Sequence, residues 1–294
     1  MLLARAALAV AVAVCAAAPA AAAISVVDDS GARVTLQQPA RRVISMAPHV
    51  TELLFAAGGG ARVVGAINFS DYPDAAKKLP VVGSSSALDM ERVLSLKPDL
   101  LVVWQSGNTA RQLEQLRQTG IPIFYSEPTR LEHVADSLIR FGQLLGTEPA
   151  AQEAAQNFRS KIGALEARYA RRAPVRLFYQ IWDKPLYTLN NSQIASDAIR
   201  RCGGVNIFGN LPVKAPVVST EAVLEQDPEV IIGSTRDDAP DAGLRVWRSY
   251  KGMLAVKRAN LFSPPESLTR AGPRMVGGVS DLCQKLDLAR QRRR

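Results

Sequence analysis

An eleven-residue phrase occurs twice in this chain and constrains its fold more than any other feature. ERVLSLKPDLL begins at Glu91 and EAVLEQDPEVI begins at Glu221. Both fit E-x-V-L-x-x-x-P-[DE]-[LV]-[LI], without a gap and 130 residues apart. Upstream, TELLFAAGGGARVVG (Thr51 to Gly65) lines up with ASDAIRRCGGVNIFG (Ala195 to Gly209). A period this long is too sparse for a solenoid. It implies two similarly built lobes with the working surface between them.

The local grammar of the phrase is the same in both copies. Asp89 and Ser219 stand two residues before the glutamates, where a helix N-cap belongs. Glu91 and Glu221 then fall in the first turn, Val93/Leu94 and Val223/Leu224 face a core, and Pro98 and Pro228 stop the helix before a strand. A first-turn carboxylate complements the helix dipole. Two such acids on matching edges of two lobes also form a paired docking surface, suited to a partner with two basic pockets.

Around these landmarks short apolar runs alternate with helical patterns. Strands are predicted at Val43–Ala47, Val63–Ile67, Leu100–Trp104, Ile121–Ser126, Arg176–Trp182, Glu229–Ser234 and Ala259–Ser263. Helices are predicted at Thr51–Gly58, Thr109–Thr119, Leu131–Leu145, Gln193–Arg201, Gly243–Met253 and Val276–Leu286, and a hairpin at Val26–Leu36. The alternation predicts an α/β fold of two lobes, each a mostly parallel sheet flanked by helices. Between them, from about Pro149 to Arg172, the apolar positions Ala151, Ala154, Ala155, Phe158, Ile162, Leu165 and Tyr169 step by threes and fours. That reads as one rigid backbone helix of about 24 residues, roughly 36 Å long, joining two lobes; one more helix of a single domain is the alternative. The expected organisation is residues 24–147 as one lobe, 148–172 as the strut and 173–294 as the second lobe.

The first 23 residues combine Arg5, an Ala/Val/Leu run and a PAAAA end, the pattern of a secretory signal peptide. The apolar core is too short to span a bilayer. Val14 before Cys15 is a poor lipobox, so a lipoprotein anchor is not expected. Export places the chain in an oxidising compartment. Cys202 and Cys283 are then most simply a disulfide closing a loop of about 80 residues, worth about 4 kcal/mol in the chain-entropy model; two unpaired buried thiols are the alternative. The formal charge of +9 includes a terminal RQRRR, read as a frayed end. Acidic residues are mixed among the other basic ones, which argues against nucleic acid as a partner.

No catalytic constellation is present: no G-x-S-x-G, H-E-x-x-H, Walker or G-x-G-x-x-G motif occurs. His49 follows Pro48 after the first predicted strand and could face a cleft, but one His without Cys or acidic company is poor for metal. His133 is assigned no role. Aromatic residues do gather after strands: Phe69 and Tyr72 in NFSDYP, Trp104 in WQSGN, Trp182 and Tyr187 in one loop, QIWDKPLYT. Loops at strand C-termini are where open α/β sheets bind ligands, and such aromatics suit a large flat ligand.

RVISMAPHVTELLFAAG, FSDYP, MERVLSLKPDLLVVW, CGGVNIF and RAGPR, in this order, resemble the periplasmic cobalamin-binding proteins of ABC importers. These are substrate-binding proteins with a helical backbone between their lobes. The resemblance runs from about Ile24 to Leu286. It implies a periplasmic, non-enzymatic protein, a monomer when free, that carries cobalamin as cargo rather than a cofactor. It implies that Glu91 and Glu221 meet arginines of a membrane permease dimer and that Cys202 and Cys283 pair. It places Phe69, Trp104, Tyr187, Glu266 and Arg270 at the ligand, with Glu266 where a relative has Asp. One cobalamin-binding relative also carries a Trp six residues before each docking acid. Those positions are Ser85 and Ala215 here. The same fold elsewhere carries haem, ferric siderophores or bare metal ions. Haem or a siderophore is the alternative cargo, an enzyme using the same cleft a remote one, and the shortage of His disfavours metal.

Overall fold

In the computed structural model the described residues are 23–233, 242–268 and 270–293. All but the last residue of the proposed signal segment lies outside them. An antiparallel hairpin comes first, β1 (Ile24–Val27) with β2 (Arg33–Leu36). Its turn uses Gly31 at φ +84°, and the Asp28 carboxylate accepts from the Ser30 and Ala32 amides.

The first parallel sheet is built from β3 (Val43–Ser45), β4 (Val63–Ala66), β5 (Leu100–Trp104) and β6 (Ile123–Ser126), in the order β4-β3-β5-β6. Its helices are α1 (Pro48–Leu54), extended by a π-helical turn at Phe55–Gly59, then α2 (Met90–Ser95), α3 (Ala110–Arg117) and α4 (Leu131–Leu145). The long α5 follows at Glu148–Tyr169, 22 residues and about 33 Å. The second parallel sheet is built from β7 (Val175–Gln180), β10 (Gly204–Asn206), β11 (Val230–Gly233) and β12 (Leu261–Phe262), in the order β10-β7-β11-β12. Between β7 and β10 come the short strands β8 (Trp182–Asp183) and β9 (Leu186–Tyr187), then α6 (Ile194–Arg201). After β10 come α7 (Thr220–Gln226), α8 (Ala242–Arg245), α9 (Leu254–Lys257) and α10 (Met275–Gln291).

The two sheets have the same order once β3 is matched to β7, β4 to β10, β5 to β11 and β6 to β12. The sequence repeat is thus a repeat of topology. Alternation along the strands divides the core in three. Val43, Leu100, Val102 and Phe124 of the first sheet, with Val175, Leu177, Tyr179, Val230 and Ile232 of the second, enter one continuous apolar cluster. The α5 residues Ala151, Ala155, Phe158 and Ile162 belong to it too. The opposite faces pack separately. Ile44, Leu101 and Val103 pack with Val93 of α2, and Phe178 and Ile231 with Val223 of α7. Cys202 at the end of α6 is bonded to Cys283 of α10, and both are buried.

Several expectations need correction. The predicted helix over Gly243–Met253 is replaced by the end of α8 and a short turn at Trp247–Ser249, and α9 begins only after it. Trp247 is the reason: its fully buried indole donates to Gln180 Oε1 at 2.7 Å, which draws the chain inward. The strand predicted to reach Trp182 ends at Gln180, and Trp182 and Tyr187 lie not in an open loop but opposite each other in the β8–β9 hairpin. Of the terminal arginines, Arg294 lies outside the described residues; Arg290, Arg292 and Arg293 are not frayed, since α10 runs to Gln291 and each is tied down. Arg290 donates to the carbonyls of Ala173 and Cys202, Arg292 to Ala259, and Arg293 grips both oxygens of Glu229.

Candidate ligand-binding cleft

The strands of each sheet deliver their carboxyl ends to a common cleft of about 450 Å³. From the first sheet, β3 leads into Pro48 and His49, β5 ends at Trp104, and β6 leads into Glu127 and Pro128. From the second, β7 supplies Tyr179 and leads into Ile181, and the start of α6 supplies Gln193, Ile194 and Ala195. Leu268, Arg270 and Ala271, just before α10, complete the wall. A mostly apolar lining with a few polar groups, where two open sheets meet, is the usual form of a small-molecule site. A polar side pocket shares Glu127 and continues to Asp29, Ser106, His133 and Lys214.

Of the five residues expected at a ligand, Trp104 and Arg270 line the cleft. Trp104 is 37% exposed and Phe69, on the loop after β4, is 72% exposed. Phe69 has φ +61°, a left-handed conformation uncommon for such a side chain, and its carbonyl accepts from Arg270 Nη1 at 3.3 Å. Tyr187 is not in the lining; it sits half-buried in the β8–β9 hairpin, paired across to Trp182 and bridged to Val217. Glu266 opens the short helical turn Glu266–Leu268 that leads to the wall residues Leu268 and Arg270. Ser85 and Ala215 are both exposed.

Arg270 belongs to a network that sequence reasoning missed. Glu52 of α1 is buried, with its side chain 1% exposed, in a helix that is buried from His49 to Leu54. Its oxygens accept from Arg274 Nη2 at 2.6 Å and Nε at 3.1 Å, and Arg270 Nη1 lies 3.7 Å away. Arg270 also donates to Asp71 at 2.8 Å, and the Arg274 guanidinium stacks 4.4 Å from the Tyr72 ring. Burial pushes the Asp71 carboxyl up, but the hydrogen bond and charge of Arg270 outweigh it and hold it below the usual carboxylate range. The aromatic segment Phe69–Tyr72 of the first lobe is therefore held by two arginines of the second. The one available signal was an acid in the apolar run VTELL, since a buried charge needs a partner.

His49 lines the cleft. It is 5% exposed and meets Trp104 edge-on at 5.3 Å between ring centroids. Burial, then the charge of Arg270, lowers its pKa from 6.5 to about 4. Its Nε2 is buried and has no hydrogen-bond partner among the described residues. Among the described residues no cluster of His, Cys, Asp and Glu could hold a metal ion.

The repeated phrase folds as its grammar requires. Asp89 accepts from the Arg92 amide at 2.9 Å and Ser219 from the Ala222 amide at 3.1 Å, so both are N-caps. Glu91 and Glu221 occupy the same second position of α2 and α7, and both are exposed. The Glu221 carboxyl is lowered by its own backbone amide and by Ser219. Each helix is terminated one residue before the proline by a left-handed residue, Lys97 at φ +46° and Asp227 at φ +38°. The steric clash with proline disfavours right-handed helix at the residue before it, which ends each helix there.

Two parallel sheets facing one cleft and braced by a long helix are the architecture of a solute-binding protein. The chain belongs to the periplasmic binding protein family, whose model matches residues 43–268. It is 39% identical over 249 residues to the vitamin B12-binding protein of Yersinia pestis (strain Pestoides F), covering 85% of this chain and 87% of that protein. The crystal structure of the periplasmic vitamin B12-binding protein BtuF of Vibrio cholerae superposes with a TM-score of 0.79 at 37% identity, over 86% of this chain and 98% of that one. A periplasmic heme-binding protein, BhuT, in complex with two hemes matches with a TM-score of 0.74 at 25% identity, over 86% of this chain and all of that one.

Proposed function

We propose that this chain is an exported, non-enzymatic receptor that holds a cobalamin-type corrinoid in the cleft and hands it to the permease of an ABC importer in the periplasm. The observation that carries the reading is the coincidence of an interlobe cleft with 39% identity to a vitamin B12-binding protein across nearly the whole chain. Residues 1–23 direct export, 24–147 and 173–294 form the lobes, and 148–172 is the strut. Phe69 and Trp104 offer apolar surface to a corrin face, and Tyr187 in its hairpin extends that surface. Arg270 and Glu266 address polar edges. Glu91 and Glu221 meet basic pockets of the permease, one from each lobe.

Calorimetric titration of the mature protein with cyanocobalamin tests the ligand. Saturable one-to-one binding is expected; no heat with cyanocobalamin, together with a Soret shift on adding haem, overturns it in favour of the haem reading. That second reading draws on the BhuT likeness and on Ser85 and Ala215, where a flat wall is reduced to small side chains. Docking is tested separately with Glu91→Lys and Glu221→Lys. Uptake is expected to fail with affinity intact, and an equal fall in affinity would make these acids pocket or folding residues.

A further inference from the structure

The polar groups of the cleft wall distinguish two kinds of macrocycle edge. A corrinoid carries primary amides around its rim, whereas a haem carries carboxylates. An amide offers both N–H donors and a C=O acceptor; a carboxylate offers acceptors only and brings a charge. The polar groups of the wall are the side chains of His49, Glu127, Gln193 and Arg270, with the Tyr179 hydroxyl and the Trp104 indole N–H.

Three of these, Arg270, Glu127 and His49, bear on the choice. Arg270 is already engaged by Asp71 at 2.8 Å, and the Glu52 carboxylate, held by Arg274, lies 3.7 Å away. Glu127 is fixed in place, since its carboxylate accepts from the Ser106 amide and hydroxyl, both at 2.9 Å. It presents a positioned negative charge to the cleft, which accepts from an amide N–H and repels a carboxylate. His49 is buried with an unpartnered Nε2, a state that is costly unless an occupant satisfies it. The imidazole is neutral at neutral pH, so one ring nitrogen donates and the other accepts. A primary amide satisfies either tautomer; a carboxylate satisfies only the one with its N–H toward the ligand.

We infer that His49 and Glu127 form an amide-reading pair that selects an amide-edged macrocycle over a carboxylate-edged one. The inference rests on the corrinoid reading of the cleft and assigns the residues that set its preference. Neither residue belongs to the set that the family resemblance implies.

The test uses cyanocobalamin and its isomeric monocarboxylic acids, in each of which one side-chain amide is hydrolysed. Dissociation constants are measured at pH 7 for the wild type, Glu127→Gln, His49→Ala and His49→Gln. At least one acid isomer is expected to bind the wild type about tenfold more weakly than cyanocobalamin, the scale of one hydrogen bond to a charged group. In Glu127→Gln that penalty is expected to vanish. His49→Ala should weaken cyanocobalamin about tenfold, and His49→Gln, which keeps a donor and an acceptor, should recover most of the loss. A merely structural role would move all ligands together and leave the amide-to-acid ratio unchanged. Cyanocobalamin binding with that ratio the same in every variant overturns the inference and leaves the corrinoid reading standing. Binding of neither corrinoid by the wild type overturns both.

Discussion

His49 makes a quantitative prediction about acid stability. Its imidazole is buried against Trp104 and lines the cleft with Arg270, Glu127 and Tyr179. Burial and the Arg270 charge depress its folded pKa to about 4 from 6.5. The folded state therefore resists a proton that the unfolded chain takes up readily. The contribution is fully present above the unfolded value and is lost as pH falls from there toward the folded one. At pH 5 the unfolded imidazole is almost wholly protonated and the folded one about one-tenth protonated, a difference worth about 2 kcal/mol by linkage. The carboxyls whose values are lowered, Asp71, Asp197 and Glu229 among them, titrate below this window and add little to it. Urea unfolding of the wild type and His49→Leu at pH 7.5 and pH 5 isolates the effect, because His133 is common to both proteins. The wild type is expected to lose about 2 kcal/mol more than the variant between the two pH values. Parallel losses would refute the burial argument, and with it the neutral imidazole that the cleft is argued to present.

Three further outcomes are expected. Glu52→Gln leaves Arg274 and Arg270 facing a neutral group; the loss should be about 3 kcal/mol, the low end for a broken buried pair because Arg274 retains some solvent, and denaturant midpoints at constant m-value would measure it. Replacing both Cys202 and Cys283 by Ser reopens a loop spanning 81 residues and should cost about 4 kcal/mol in the chain-entropy model, readable as a lower melting temperature in oxidising buffer. Glu229→Gln weakens a carboxylate that Arg258 and Arg293 share; protection of the β11 amides in hydrogen exchange should fall more than that of β5, and equal change in both strands would count against a local clamp.

The sequence carried the repeat, the two N-caps, the strut and the pairing of Cys202 with Cys283, because each is written in local spacing or in simple counting. Pro98 and Pro228 show how far such grammar reaches: each stops its helix, but the left-handed φ of Lys97 and Asp227 beside them was not written in the spacing. The cleft wall was legible only where it follows a strand directly, as at Trp104. The network of Glu52 with Arg274 joins residues 222 apart in sequence, and no periodicity encodes a partner at that distance. His49 was visible as a candidate, but its burial depends on Trp104 folding over it from another strand. The break after α8 was hidden because Trp247 satisfies a helical pattern as well as it fills a core.

The three-part core bears on how such a receptor could signal that it is loaded. The inner faces of both sheets and α5 form one apolar cluster, so separating the lobes would expose that shared surface. Polar ties cross the same boundary: the Asp197 carboxylate of α6 accepts from the Leu131 amide at the start of α4, and Glu52 of α1 binds Arg274. A large hinge motion would break both. The helices bearing Glu91 and Glu221 pack on the outer faces, through Val93 and Val223. Their separation is consequently set by the shared core rather than by the occupant of the cleft. A partner meeting both acids at once would find nearly the same spacing in empty and loaded protein. Discrimination between the two states must then come from the loops around the cleft. The segment Phe69–Tyr72, anchored to the opposite lobe through Arg270 and Arg274, is the part of the cleft rim best placed to change when a ligand edge competes for those arginines.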